Sequence, residues 1–259
     1  MPRPTSRTLA ALLLAASTAA ALPALAQTAA PNPPAAASTA VSAEGAQALA
    51  SAIDAGLRTW FPADAMDGTL RWKGTTAAVP TGDHYQVSLP FLSLVNEEGS
   101  RLDVGIIRLA VKPLADGTQQ VGISLPPSMP SFEADGAPEG AMTIGRQQIF
   151  GVWAPRFQTF LSLDAAVGAI GVDGAKGQAM LRLAEVLGKV DLKADSPGAD
   201  TYSGTSSVTL GGLLAHDKKG ATVARIGTMA AEATYGKLDL ARLAALTGPA
   251  PSPAPAPAP

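Results

Sequence analysis

The first folded segment of the chain carries apolar residues at helical spacing. After Ser42, spacings of three and four residues separate the apolar positions, which are Ala46, Leu49, Ile53, Leu57 and Trp60. This pattern predicts an amphipathic helix that Ser42 caps and Pro62 ends. Because Arg58 is the only positive charge on the helix, we expect it to pack on the protein's own sheet rather than on a membrane surface.

From Thr69 onward the period of the apolar positions changes from 3.6 to two, which is typical of strands. Alternating residues occupy several runs, which are Tyr85 to Phe91, Leu102 to Ile106, Ile107 to Val111, Leu161 to Ala169 and Ser206 to Leu210. Between Ile106 and Ile107 the alternation changes phase beside Gly105, which predicts a β-bulge.

Turn dipeptides separate these runs. They are Glu98-Gly99, Asp116-Gly117, Asp135-Gly136, Asp173-Gly174 and Lys219-Gly220. Glycine tolerates the positive φ of tight turns, so the sequence predicts about eight to ten strands joined by hairpins, antiparallel and adjacent. We expect a mainly β (α+β) fold: a curved antiparallel meander, either an open sheet or an incomplete barrel.

Two segments near the C-terminus need separate treatment. Met180 to Val190 fits both a strand and a helix face, and we favour a strand because alternating segments flank it. Asp239 to Leu246 predicts a short helix with Asp239 as its cap. Val87-Ser88-Leu89-Pro90 and Ile123-Ser124-Leu125-Pro126 echo one another, and their prolines predict strand ends.

The N-terminal segment has the pattern of a cleavable signal peptide. Arg3 and Arg7 precede the apolar run Leu9 to Leu22, and Ala24-Leu25-Ala26 predicts cleavage before Gln27. An uncleaved anchor is the alternative. We expect a signal peptide over 1–26, a disordered Pro/Ala-rich spacer over 27–40, one β-rich domain over 41–247 and a disordered Pro/Ala tail over 248–259.

Charge and cysteine content narrow the function. The chain has no cysteine, which excludes disulfides and lipid attachment through an N-terminal cysteine. Its formal charge of −2, with lysines and arginines scattered, argues against nucleic-acid binding. The exported chain is therefore expected in a bacterial periplasm.

Catalytic motifs are missing from the sequence. It has two histidines, His84 and His216, and we expect Asp83 and His84 to point to opposite faces of an extended strand, so that they form no chelate. There is no Gly-x-Ser-x-Gly or Ser-x-x-Lys motif. We therefore expect no enzyme activity, no metal and no cofactor.

An aromatic cluster is the nearest approach to a site. Phe150, Trp153, Phe157 and Phe160 fall within one short segment, and Trp72 and Phe91 can line the same concavity. With Pro155 marking a bend, Trp153 and Phe157 can stand at the mouth of a curved sheet. The cluster predicts either core packing or an apolar groove that takes an acyl chain.

Residues 141–246 resemble bacterial envelope proteins of the AsmA-like and DUF2125- or DUF945-like kind. The resemblance rests on the L-x-L-D strand pattern of Leu161 to Asp164 and on the terminal Leu238-Asp239-Leu240. It implies a periplasmic β-rich protein in lipid handling or membrane biogenesis, and it supplies no functional residues. Such proteins usually keep a membrane anchor, whereas this chain has a cleavage pattern.

These observations favour a non-catalytic periplasmic envelope protein that binds a hydrophobic, lipid-like ligand in a concave β-sheet. One alternative is a structural or interaction protein that docks on envelope complexes through sheet edges or its Pro/Ala tail. Another is a hydrolase whose residues are assembled by the fold. The expected partners are a lipid-like small molecule or an envelope protein, with peripheral membrane contact as a further option and no nucleic acid.

Overall fold

Thirteen antiparallel strands form one open sheet in the computed structural model, which describes residues 40–60, 70–217 and 219–247. The helices are α1 (Ala43–Trp60) and α2 (Leu240–Thr247). The short strands are β1 (Leu70–Lys73), β2 (Ala77–Thr81), β3 (His84–Ser88), β4 (Phe91–Val95), β5 (Arg101–Gly105), β6 (Arg108–Pro113), β7 (Gln119–Ser124) and β8 (Ser128–Phe132). The long strands are β9 (Pro138–Ala154), β10 (Thr159–Gly174), β11 (Ala179–Ala194), β12 (Thr201–His216) and β13 (Thr222–Asp239).

The predicted fold class is confirmed. The chain is mainly β with an N-terminal and a short C-terminal helix, and the sheet is open rather than closed into a barrel. The strand number exceeds the predicted eight to ten because the segment before β9 folds into strands of only four to six residues.

The N-terminal helix α1 forms as its pattern predicts. The Ser42 hydroxyl accepts a hydrogen bond from the Gly45 amide at 3.0 Å, as expected of a cap. The apolar side of α1 packs on β2 and on a core, called here the helix core, of Ala46, Tyr85, Val87, Val111 and Val121. The expectation that α1 packs on the protein's own sheet is therefore confirmed.

The sheet splits into two branches at β9. One edge of β9 pairs with β8 over Pro138 to Thr143 and with β7 over Phe150 to Trp153. The first branch continues from β8 to β5, β4 and β1, and the second from β7 to β6, β3 and β2. A simple meander was expected throughout; it describes only the long strands, because the short strands alternate between two branches.

The two echoed segments mark crossings between these branches. Leu89-Pro90 follows β3 of the second branch and leads to β4 of the first, and Leu125-Pro126 does the same between β7 and β8. The predicted strand ends are thus confirmed. The first branch packs on the long strands through a second core, the branch core, of Leu92, Leu102, Val104, Met129 and Ile144.

The long strands β9 to β13 form an uninterrupted antiparallel meander. The segment from Met180 to Val190 lies in β11, so the choice of a strand is correct. At the end of the sheet α2 begins after Asp239, whose carboxylate accepts a hydrogen bond from the Arg242 amide at 2.8 Å, as predicted for a cap. Its Leu240 forms a third core, the end core, with Ala154 and Phe157.

Four of the five predicted hairpin turns occur at their dipeptides, with positive φ at Gly99, Gly117, Gly136 and Gly220. Asp173-Gly174 is different, because β10 runs to Gly174 and the positive φ falls at Gly177. Beside Gly105, Leu92 pairs with Gly105 while Ser93 pairs with Asp103, so the predicted bulge is confirmed as a register shift. The predicted signal peptide, spacer, tail and helix stop at Pro62 lie outside the described residues.

Candidate functional site

The predicted aromatic cluster is divided between different cores. Trp153 of β9 and Phe160 of β10 pack edge to face, with ring centroids 5.1 Å apart, against the helix core. Phe157 lies in the turn after β9, is buried in the end core and packs on Tyr202 at 5.5 Å. The expectation that Trp153 and Phe157 share the mouth of a groove is therefore wrong, because the turn sends their rings into separate cores.

The other predicted aromatic residues also lie apart. Trp72 packs against the branch core, whereas Phe91 of β4 is 37% exposed. Phe150 is 42% exposed and stands opposite Asp164 on β10. The six aromatic residues do not line one concavity, and four of them fill cores, which was the alternative interpretation of the cluster.

A different apolar surface lies on the long strands. Directly paired residues of antiparallel strands share one face of a sheet, so the pairing gives rows across all five strands. One row joins Ile149, Ala165, Gly188, Val208 and Ala231, and the next joins Gln147, Val167, Val186, Leu210 and Met229. We call the side formed by these rows the apolar face.

The apolar face continues beyond these rows, but the spacing of its residues along each strand changes at one point. Its next row joins Ile144, Ile170, Leu183, Leu213 and Ile226, three residues along each strand instead of two. Ile144 and Val167 pack in the same branch core, so both rows lie on one side of the sheet. The apolar side therefore spans almost the full length of the strands.

The change of phase occurs at one row in every strand, called here the phase-shift row. Its members are Gly145, Ala169, Ala184, Gly212 and Gly227, and none of them is paired in the ladders, although the residues before and after them are. Ala169 and Gly212 have positive φ values of 53° and 67°. The positive-φ residues on alternate strands, β10 and β12, thus lie at the row where the apolar alternation of all five strands shifts by one residue.

Close approaches explain the small residues of this row. A Cβ added at Gly145 would lie 2.7 Å from the Ala169 Cβ, and one added at Gly212 would lie 2.8 Å from the Ala184 Cβ. Both distances are shorter than real Cβ contacts allow, so glycine is required at these positions.

Burial of the apolar face decreases from β9 toward β13. Leu183 on β11 is 5% exposed, Leu213 beside it is half-buried, and Ile226 and Met229 on β13 are 37% and 54% exposed. The apolar face is therefore buried at Leu183 on β11 and becomes exposed on β13.

The opposite side of the long sheet carries the charged residues, together with the exposed Phe150 and Leu187. Its rows include Asp164 with Lys189 and Ser207, and Arg146 with Glu185, whose charged groups are 3.8 Å apart. One side thus faces water in the usual way of a two-sided antiparallel sheet, while the other presents aliphatic side chains. Exposed apolar surfaces of this extent commonly mark binding sites.

Sequence analysis missed the apolar face, although a signal was present. Along β9 to β13 the positions on the apolar face alternate, skip two positions and alternate again, as in Val208, Leu210, Leu213 and Ala215 of β12; in β11 the skip lies between Leu183 and Val186. The skip breaks the period of two and produces the spacing of three that suggested a helix. Five strands with the same skip would have indicated a shared row.

The titratable residues do not assemble into a reactive group. His84 lies 3.3 Å from Asp83, so the expectation that the two point apart is wrong: Asp83 lies in the β2–β3 turn, not in an extended strand. The hydrogen bond from Lys112, at 2.6 Å, is the largest of the causes that lower the pKa of Asp83 below 3.8. In the described part of the chain no three His, Cys, Asp or Glu side chains are grouped as metal ligands.

The comparisons with known proteins do not indicate a function for this chain. No protein-family model, curated protein or solved structure matches this chain. Across the described ranges, neither helix combines the length and apolar character needed to cross a bilayer. The apolar face, which is exposed toward β13, is therefore the candidate site.

Proposed function

We propose that the protein binds a hydrophobic, lipid-like ligand on the apolar face of its long sheet, as a non-catalytic, exported protein of the bacterial envelope. The aliphatic rows of the long sheet carry this proposal, since they reach the surface at β13, where Ile226 and Met229 are 37% and 54% exposed. Apolar surface left in water is unfavourable by about 25 cal/mol per Å², so a ligand that covers it gains free energy in proportion to the area.

The composition of the face favours acyl chains over ring systems. Its half-buried and exposed side chains include Val190, Val208, Leu210 and Met229, none of which carries a ring. Acyl chains lie along such a surface without the specific stacking geometry that aromatic ligands need. The ligand class proposed is therefore a fatty acid or the acyl part of a lipid.

One polar pair interrupts the apolar face near the α2 end. The hydroxyls of Ser206 and Tyr235 lie 3.0 Å apart, on rows that belong to this face. Gln147, the other polar residue of these rows, bonds to the main chain of Leu125. The Ser206–Tyr235 pair is thus the hydrogen-bonding group available to the polar end of an acyl ligand lying on the sheet.

Two adjacent residues of β12 provide a matched test, since Val208 lies on the apolar face and Ser207 on the polar face. Titration with a fluorescent long-chain fatty acid should show that Val208→Asp weakens binding by about tenfold or more, because the contact of one valine is worth about 1.5 kcal/mol. Ser207→Asp should bind as the unchanged protein does. Equal affinities of the two variants, each with its β-sheet circular dichroism intact, would contradict the proposal.

Native mass spectrometry of the protein, gently purified from periplasmic extract, tests whether a natural ligand is present. We expect one adduct with the mass of a single lipid, removed by organic solvent. An unliganded mass that stays unchanged after incubation with envelope lipids would overturn the proposed function. N-terminal sequencing of the same sample should begin at Gln27 if export occurs by signal-peptide cleavage.

A further inference from the structure

The last strand of the sheet, β13, has an open edge. It spans 18 residues and, within the described ranges, pairs only with β12. Residues 222–232 of this strand are all exposed, and the strand contains no proline. A row of backbone N–H and C=O groups therefore faces outward without a ladder, which is the arrangement that accepts another strand.

The other edges of the sheet are built differently. β1 has four residues, and β2 has five with Pro80 among them. Short length and proline are two of the devices that keep an edge from pairing. β13 uses neither device over the regular part of its ladder with β12, from Ala224 to Tyr235. The difference marks β13 as the edge on which pairing is permitted.

The phase-shift row indicates the register in which a further strand would pair with the open edge of β13. It repeats with a period of two strands: Ala169 of β10, with positive φ, leans on Gly145 of β9, and Gly212 of β12, also with positive φ, approaches Ala184 of β11. In this repeat β13 corresponds to β9 and β11, whose members of the row are each contacted by a positive-φ residue of the next strand. Gly227 would then receive a positive-φ residue from a strand at the open edge.

The surroundings of Gly227 agree with this position. A Cβ added there would meet nothing within 4 Å, although Gly145 and Gly212 of the same row are tightly confined. On either side of Gly227, Ile226 and Met229 present their exposed side chains on the apolar face. An added strand would extend the row and cover these two residues from the side.

We propose that the open edge of β13 accepts one antiparallel strand from a partner polypeptide, with a glycine of positive φ opposite Gly227. The residues of that strand opposite Ile226 and Met229 are apolar, as Leu213 and Leu210 of β12 are on the inner edge. This inference concerns the edge of the sheet and is independent of the ligand proposed for its face.

With Gly227 opposite Gly227, a second copy of this chain does not supply the strand. If two β13 strands paired about Gly227, Ile226 of one would stand opposite Thr228 of the other, so the apolar face of one copy would meet the polar face of its neighbour. Gly227 itself does not have a positive φ. The edges at β1 and β2 are too short to match β13.

A peptide that copies residues 205–216 of β12 is the probe, since that strand already pairs with β13 in the required register. Fluorescence anisotropy with the labelled peptide and the full chain should show saturable binding. Hydrogen exchange should show new protection of β13 amides. The same peptide with Gly212→Val should bind about tenfold more weakly, because a β-branched residue resists positive φ.

Variants of the protein give the matched control. Gly227 and Gly236 both lie on β13 with open space around them, but only Gly227 belongs to the phase-shift row. Gly227→Leu should weaken peptide binding by about tenfold by filling the space opposite the incoming strand, and Gly236→Leu should not. Both should keep the circular dichroism of the unchanged protein.

Two results would overturn the proposal. The first is equal binding of both peptides, or equal effects of the two glycine variants, which would show that the register at Gly227 plays no part. The second is concentration-dependent dimerisation of the chain alone, measured by light scattering and lost in Gly227→Leu. That outcome would make a second copy the occupant of the edge.

Discussion

The side-chain amide of Gln147 makes two hydrogen bonds to the main chain of Leu125: its Oε1 accepts from the Leu125 amide at 2.8 Å, and its Nε2 donates to the Leu125 carbonyl at 2.7 Å. Gln147 lies on β9 between the stretches that pair with β8 and with β7. The amide group therefore replaces a rung of the ladder where the sheet splits.

Removing the side-chain amide of Gln147 should destabilise the point at which the two branches of the sheet separate. We expect Gln147→Leu to lower the free energy of unfolding by about 1–3 kcal/mol, because the half-buried amide and carbonyl of Leu125 lose their partner. Gln148→Leu, at the exposed neighbouring position, should change it by less than about 0.5 kcal/mol. Urea denaturation of the two variants measures the difference, and equal values would show that Gln147 does not hold the junction.

The phase-shift row predicts a different response at two glycines. Gly145→Ala should destabilise the protein by about 1–3 kcal/mol, since its Cβ would meet Ala169, whereas Gly227→Ala should be nearly neutral. Ala169→Gly should restore stability to Gly145→Ala, because it removes the contact and relieves the positive φ at 169. Thermal unfolding of the three proteins checks this, and a failure of the rescue would contradict the contact.

A carboxylate of helix α1 binds the residue that precedes β2. Asp54 accepts hydrogen bonds from both the amide, at 2.9 Å, and the hydroxyl of the buried Thr76. Asp54→Ala should lower the free energy of unfolding by about 1.5–3 kcal/mol, and Ser51→Ala, at an exposed site of the same helix, should not. Faster amide exchange in α1 of Asp54→Ala would locate the effect, and unchanged exchange would argue against it.

The turn between β6 and β7 predicts a local pH dependence. The pKa of Asp116 lies below 3.8 because the Thr118 hydroxyl and amide donate hydrogen bonds to its carboxylate at 2.6 and 2.9 Å. A lowered pKa in the folded state means that this contribution to stability is complete above pH 3.8 and is lost as the pH falls through the folded pKa. Thr118→Val should raise the pKa toward 3.8, as measured by carbon NMR of the carboxyl group; an unchanged pKa would contradict this cause.

Local features were accessible from the sequence because short-range chemistry fixes them. Ser42 and Asp239 cap their helices through their own side chains. The Asp-Gly turns depend on one glycine with positive φ and on a carboxylate that bonds two residues ahead, as in Asp135 with Ala137. The choice of a strand for Met180 to Val190 was also correct, since its neighbours alternate.

The candidate site was not accessible in the same way. The aromatic residues were grouped by their proximity in sequence, but Pro155 and the turn after β9 direct Trp153 and Phe157 into separate cores. The apolar face depends on which residues of distant strands stand opposite one another. No single segment carries that information.

The sequence by itself determined the β-rich class, the two helices with their caps, most hairpin turns and the strand ends at Pro90 and Pro126, because each depends on residues within one turn or one strand. Only the tertiary structure decided that the sheet splits at Gln147, that five strands shift phase at one row, and that the apolar face stays uncovered toward β13. These features arise from pairing between residues far apart in the chain, which adds interactions that no local pattern specifies.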